Sequence, residues 1–117
     1  IRSIAVSQDG RWIVSGDCGC KATLWNADTH EKVRHTEYGN FVFAVDVSSD
    51  CTKAVAAGFD DADNVRLFDI SSSTELLPPI SHSQVDGVKF SPDGSRFATA
   101  SRDSGVRIYS THDGKVL

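Results

Sequence analysis

The sequence predicts an all-β chain of three similar units, each a four-stranded antiparallel sheet. Three observations carry this. The same landmarks recur: Ser7, Ser48 and Ser91 stand 41 and 43 residues apart, and Trp25, Phe68 and Tyr109 stand 43 and 41 apart. Residues 1–26 lie over residues 85–110 with a constant shift of 84 and no gap. The middle pass follows with a shift of 41, then of 43 after two extra residues in the Asp60–Asp63 stretch. Within each pass apolar positions alternate with others, as in a strand. No segment of ten or more residues sustains helical periodicity. A fixed period of about 40–45 residues marks a propeller or a solenoid.

The first strand of each unit reads Ile1–Ser7, Val42–Ser48 and Val85–Ser91. A turn follows, at Gln8-Asp9-Gly10, Ser49-Asp50-Cys51 and Pro92-Asp93-Gly94. Asp9, Asp50 and Asp93 close these turns through their side chains, and Gly10 and Gly94 supply positive φ without steric cost. A second strand comes next, over Trp12–Ser15, Lys53–Ala57 and Arg96–Ala100, with small residues at its end. The third strand ends in an aromatic: Ala22–Trp25, Val65–Phe68 and Val106–Tyr109. A short fourth strand carries Val33, Leu76 and Leu117 in register.

Four short strands per unit, regular turns and a terminal aromatic resemble the WD-repeat β-propeller. The best match is Val85-Asp86-Gly87-Val88-Lys89-Phe90-Ser91-Pro92-Asp93-Gly94, followed by Ser101-Arg102-Asp103 and Val106-Arg107-Ile108-Tyr109. The family's Trp-Asp ending survives in halves, as Trp25-Asn26, Phe68-Asp69 and Tyr109-Ser110. The Gly-His pair that precedes the first strand is Glu37-Tyr38 in the second pass, and His82 stands one place off it in the third. The family's turn Asp between second and third strands is matched by Asp103 and loosely by Asp60, with Gly19 at that place in the first pass. The resemblance implies an all-β propeller sector of three four-stranded antiparallel blades, at about residues 1–36, 42–79 and 85–117. Propellers usually close with about 4–8 blades. The 117 residues are therefore read as part of a longer ring, whose remaining blades are partners of this sector. An arc of three leaves two apolar faces open, and Ile4, Val6, Ile13, Val88, Phe90 and Phe97 are expected on the faces of its first and third blades. Some of these six point to a blade that is present and others to one that is not.

The net charge of −4 argues against a nucleic-acid binder, which shows a basic stripe. No apolar run approaches the roughly 18 residues of a membrane-spanning helix. Asn26, Asn40 and Asn64 lack the Ser or Thr of a glycosylation acceptor. Three cysteines fit a reducing compartment better than a disulfide framework. The expected address is the cytoplasm, with the nucleus as an alternative.

Several constellations suggest chemistry and fall short of it. Gly16-Asp17-Cys18-Gly19 has the look of a cysteine-protease nucleophile turn, yet no His precedes Cys18. Cys18 and Cys20 form a lone Cys-x-Cys, while zinc sites want four ligands. Asp60, Asp61, Asp63 and Asn64 resemble part of a calcium loop without its Gly and closing Glu. Ser71–Thr74 reads as a flexible polar turn. No Gly-x-x-x-x-Gly-Lys phosphate loop is present. The expectation is a chain with no catalytic residue, metal or cofactor.

What remains is surface. The resemblance implies partner binding on the face bearing the fourth-to-first and second-to-third-strand loops. It places Phe59 and Arg102 just before the turn Asp on that face, with Cys18 equivalent. Tyr38 and Phe41 lie in the incoming loop of the second blade, and Phe43 and Asp86 occupy equivalent first-strand positions. Aromatics and Arg are over-represented at binding hot spots. The expected partner-binding set is Tyr38, Phe43, Phe59, Asp86 and Arg102. The first functional reading is a non-catalytic scaffold for proteins or peptides. The alternative is a sensor or autoinhibitory propeller of a nucleotide-hydrolysing signalling protein.

Overall fold

A computed structural model describes residues 3–37, 41–59, 64–72, 74–102 and 105–117. Every regular element among them is a strand. In chain order these are β1 (Ser3–Val6), β2 (Trp12–Gly16), β3 (Lys21–Asn26), β4 (Lys32–Glu37), β5 (Val42–Val47), β6 (Lys53–Gly58), β7 (Val65–Asp69), β8 (Val85–Phe90), β9 (Arg96–Ser101) and β10 (Gly105–Ser110). They form three antiparallel sheets, β1-β2-β3-β4, β5-β6-β7 and β8-β9-β10. No helix among the described residues is long and apolar enough to cross a membrane.

The fourth strand differs among the sheets. Only the first sheet has it at full length, in β4. In the second, the segment beside β7 touches it through isolated bridges, Phe68 with Glu75 and Val65 with Ile80. Pro78 and Pro79 lie between those bridges and have no N–H to give a ladder. In the third, one bridge joins Tyr109 to Val116. The first-to-second-strand turn, by contrast, repeats closely. Ser7 Oγ donates to Asp9 Oδ1 at 2.6 Å, and Ser48 and Ser91 do the same to Asp50 and Asp93 at 2.7 and 2.8 Å. Each serine oxygen also accepts the N–H that opens the next strand, from Trp12, Lys53 and Arg96. Gly10 and Gly94 have φ of 75° and 74°, and Cys51 adopts the same left-handed conformation at 64°. Asp9, Gly10, Asp50, Asp93 and Gly94 thus sit in the turns read from the sequence. Asp103 lies outside the described residues.

The sheets pack face on face, with the second in the middle. Between first and second, Val14 and Ala22 meet Val42, Val45, Ala54 and Ala56. Between second and third, Val55, Ala57, Val65 and Leu67 meet Val85, Phe90, Phe97 and Tyr109. Side chains also tie the inner strands together: the Val45 N–H donates to Ser3 Oγ, and the Phe90 N–H donates to Asp46 Oδ2 at 2.7 Å. Position 16 must be glycine because a Cβ there would stand 2.7 Å from Val42 Cγ1 and 2.9 Å from its carbonyl oxygen.

This packing sorts the six apolar residues expected on the outer blades. Phe90 and Phe97 are buried and Val88 packs on the same core, so they face the second sheet rather than an open side. Ile4 and Val6 lie on the equivalent face of the first sheet, which has no neighbour here, and are 60% and 59% exposed. The open face of the third sheet is instead carried by Val106 and Ile108.

Candidate functional site

Four of the five residues expected to bind partners converge at one spot on the rim between the second and third sheets. Two irregularities put them there. The β5–β6 register shifts between Val42 and Ala44, and the β8–β9 register shifts between Val85 and Gly87. The residues left out of the pairing are Phe43 and Asp86, and such bulges re-aim a side chain. Their partners leave the ends of β6 and β9. The Phe59 N–H donates to the Phe41 carbonyl, and the Arg102 N–H donates to the Gln84 carbonyl. One structural position, repeated in two blades, therefore holds an aromatic pair in the second and an ion pair in the third.

The two pairs pack on each other. The Phe43 and Phe59 ring centroids are 4.9 Å apart, and Phe41 extends the group at 5.9 Å from Phe43. The Arg102 guanidinium carbon stands 5.0 Å from the Phe59 centroid and 5.9 Å from that of Phe43. Arg102 Nε reaches Asp86 Oδ2 at 3.1 Å, with the two side chains 49% and 41% exposed. At this exposure the ion pair is worth about 0–1 kcal/mol and the cation–π contact about 0.5–1 kcal/mol. These energies orient the guanidinium more than they stabilise the fold. The result is a half-exposed aromatic floor with a positioned cation and a carboxylate beside it. Tyr38 lies outside the described residues.

Of the catalytic and metal motifs weighed in the sequence, the turn holding Cys18 and the buried Asn64 are described. In the turn holding Cys18, Asp17 Oδ1 accepts the N–H groups of Gly19 and Lys21 at 2.8 and 3.1 Å. Asp17 thus supplies the turn carboxylate, two residues before the Gly19 position. Cys18, Cys20 and Cys51 carry free thiols. No cluster of three His, Cys, Asp or Glu side chains that could hold a metal occurs among the described residues. Asn64 is buried: its amide donates to the carbonyls of Gly58 and His82 at 3.0 and 2.6 Å, and its Oδ1 accepts the His82 N–H. It is a joint between β7 and the segment entering the third sheet. The other calcium-loop candidates, Asp60, Asp61 and Asp63, lie outside the described residues.

The sequence points to Asn64 only as part of a calcium loop and not to its link with His82. His82 is also buried, and its Nδ1 shares a 2.7 Å hydrogen bond with Thr99 Oγ1. In the first sheet Trp25 Nε1 donates to Ser15 Oγ, the position equivalent to Thr99. The same register position thus carries a Trp–Ser bond in the first sheet and a His–Thr bond in the third. Signals were present: Asn64 is an uncharged polar residue opening an apolar strand, and Ser15 and Thr99 share one register position.

The turn carboxylates are the electrostatically shaped groups. Hydrogen bonds from Thr52 and Ser48 pull the Asp50 pKa down to about 2. Those from Ser95, backbone and side chain, and from Ser91 do the same to Asp93, also to about 2. Asp9 is lowered chiefly by Ser7. All three lie on the rim opposite the Arg102 cluster, so this rim is built for turn stability.

Comparison with known proteins agrees with this architecture. The family model described as WD domain, G-beta repeat matches residues 1–26 and 75–110. The chain is 28% identical over 117 residues to a WD repeat-containing protein SL1-17 of Schistosoma mansoni, covering 98% of this chain and 38% of that protein. It is 29% identical over 110 residues to a serine-threonine kinase receptor-associated protein of Dictyostelium discoideum, covering 93% and 36%. It is 30% identical over 122 residues to a guanine nucleotide-binding protein subunit beta of Oryza sativa subsp. indica, covering 94% and 30%. The chain thus spans about a third of the length of these relatives. The family model leaves out most of the middle pass, yet β5, β6 and β7 repeat the strands on either side of it. With the repeat register, three face-packed antiparallel sheets and more than half its residues matched, the chain belongs to the WD-repeat family.

Proposed function

We propose that the chain is part of a non-catalytic platform that holds a protein or peptide partner on the rim where Phe43, Phe59, Asp86 and Arg102 meet. The carrying observation is the placement of the Arg102 guanidinium over two partly buried aromatic rings and against a carboxylate. A solvated arginine has no need of that anchoring. An arginine that must meet a partner in one orientation gains from it, because less side-chain entropy is lost on binding. The aromatic floor supplies apolar area, and the Arg102–Asp86 pair supplies polar direction. Free thiols at all three cysteines support a reducing compartment as the address, the cytoplasm first.

Affinity capture by the protein and three variants, read by quantitative mass spectrometry, tests this reading. Phe59→Ala and Arg102→Ala should each lose the same retained proteins by roughly 30-fold, the size of a 2 kcal/mol hot spot. Lys115→Ala, on the opposite rim, should retain them. Identical retention by all three variants would refute this rim as the binding surface.

A further inference from the structure

A cleft between the first and second sheets opens at two alanines of β6, Ala54 and Ala56. Position 54 on β6 is alanine, where the equivalent positions in the other sheets are Ile13 and Phe97. Between the second and third sheets Phe97 fills the joint, stacked on Tyr109 at 5.2 Å and edge-on to Phe90 at 6.1 Å. Between the first and second, Ala54 and Ala56 leave a cleft of about 160 Å³, floored by Val14, Ala22, Leu24, Phe68 and Ile70. Apolar spaces of roughly 150 Å³ admit a benzene-sized guest.

The lip is polar and carries charges of both signs. Arg34 and His35 of β4 line one side and Asp69 at the end of β7 lines the other. The Asp69 carboxylate is already engaged: its Oδ2 accepts from Ser71 Oγ, from the Ser72 N–H and from Ser72 Oγ. Lys53 stands opposite Asp69 in the β6–β7 register. Arg34 is exposed and makes no hydrogen bond or ion pair among the described residues. Across the cleft from the engaged Asp69, Arg34 is thus, among the described residues, an unpaired cation above an apolar floor.

We propose that this cleft receives one apolar side chain of phenylalanine or leucine size from a partner peptide whose adjacent carboxylate pairs with Arg34. The site is separate from the Arg102 cluster, which lies between the other pair of sheets, so either can fail alone.

The dipeptide acetyl-Asp-Phe-amide, titrated into the methyl-labelled protein and followed by nuclear magnetic resonance, is the probe. Saturable shifts are expected at the methyls of Val14, Leu24 and Ile70, and none at Val106 or Val116. Ala54→Phe, which repeats the residue found at position 97, should abolish them. Arg34→Gln, an exposed substitution that leaves the fold intact, should weaken binding roughly fivefold, as should replacing the probe by acetyl-Asn-Phe-amide. Acetyl-Asp-Ala-amide should not bind. Absence of saturable shifts at the cleft, or shifts that survive Ala54→Phe, would overturn the proposal. Equal binding of the Asp and Asn probes would overturn its carboxylate.

Discussion

Truncating Phe97 to alanine would copy into the second joint the gap that Ala54 leaves in the first. Phe97 is 1% exposed and touches two aromatic neighbours, at 5.2 and 6.1 Å between centroids. Removing its ring forfeits about 1.5–3 kcal/mol of transfer energy. It also forfeits the Tyr109 and Phe90 ring contacts and leaves a void whose walls relax only in part. Together these put the cost of Phe97→Ala at about 3–5 kcal/mol. Against a typical stability of about 5–15 kcal/mol this is a large share. Equilibrium urea denaturation, followed by tryptophan fluorescence, measures it. Both tryptophans, Trp12 and Trp25, sit in the first sheet. A lowered midpoint there also shows that a joint two sheets away is coupled to the whole arc. The equivalent change Ile13→Ala should cost less, because Ile13 is only partly buried on a face with no neighbour. A loss below about 1.5 kcal/mol for Phe97→Ala, at unchanged denaturant slope, would refute the packing argument.

Three further outcomes are expected. Asn64→Ala removes three hydrogen bonds that end on buried backbone of two sheets, and should cost about 2–4 kcal/mol in the same denaturation assay. Tyr109→Phe should be neutral or stabilising by up to about 1 kcal/mol, because the buried Tyr109 Oη has no partner among the described residues. Asp50 and Asp93 are held at about 2 in the folded chain, below the ordinary aspartate value of 3.8. A depressed carboxylate contributes stability that is complete above the unfolded pKa and lost as pH falls through the folded one. Melting temperatures should therefore hold above about pH 4 and fall between pH 4 and pH 2, and Asp50→Asn should flatten that fall.

The rim cluster was legible in part from the repeat register alone. Phe59 and Arg102 share one repeat position, Phe43 and Asp86 another, and all four fell on one face by register alone. Their meeting was not legible. It depends on two bulges, and alternation cannot reveal where a ladder slips by one residue. Besides its own-blade partner, Phe59 meets Arg102 at 5.0 Å, a contact between sheets some 43 residues apart in the chain. In the second and third blades the fourth strand is shorter than read: beside β10 it is one bridge, Tyr109 with Val116, with the Leu117 N–H donating to the Ile108 carbonyl.

By itself the sequence determined the repeat, the strand order within each unit and the Ser-x-Asp turns. These are local: they rest on period-2 burial, on a hydroxyl reaching a carboxylate two residues on, and on the φ that Gly10 and Gly94 tolerate. Only the tertiary structure decided which face of each sheet meets which neighbour. The third sheet carries apolar residues on both faces, so the pattern cannot say whether Phe97 or Val106 turns inward. Packing settles that, because Phe97 has Tyr109 and the second sheet to fill against, and Ala54, at the same register position, leaves a cleft.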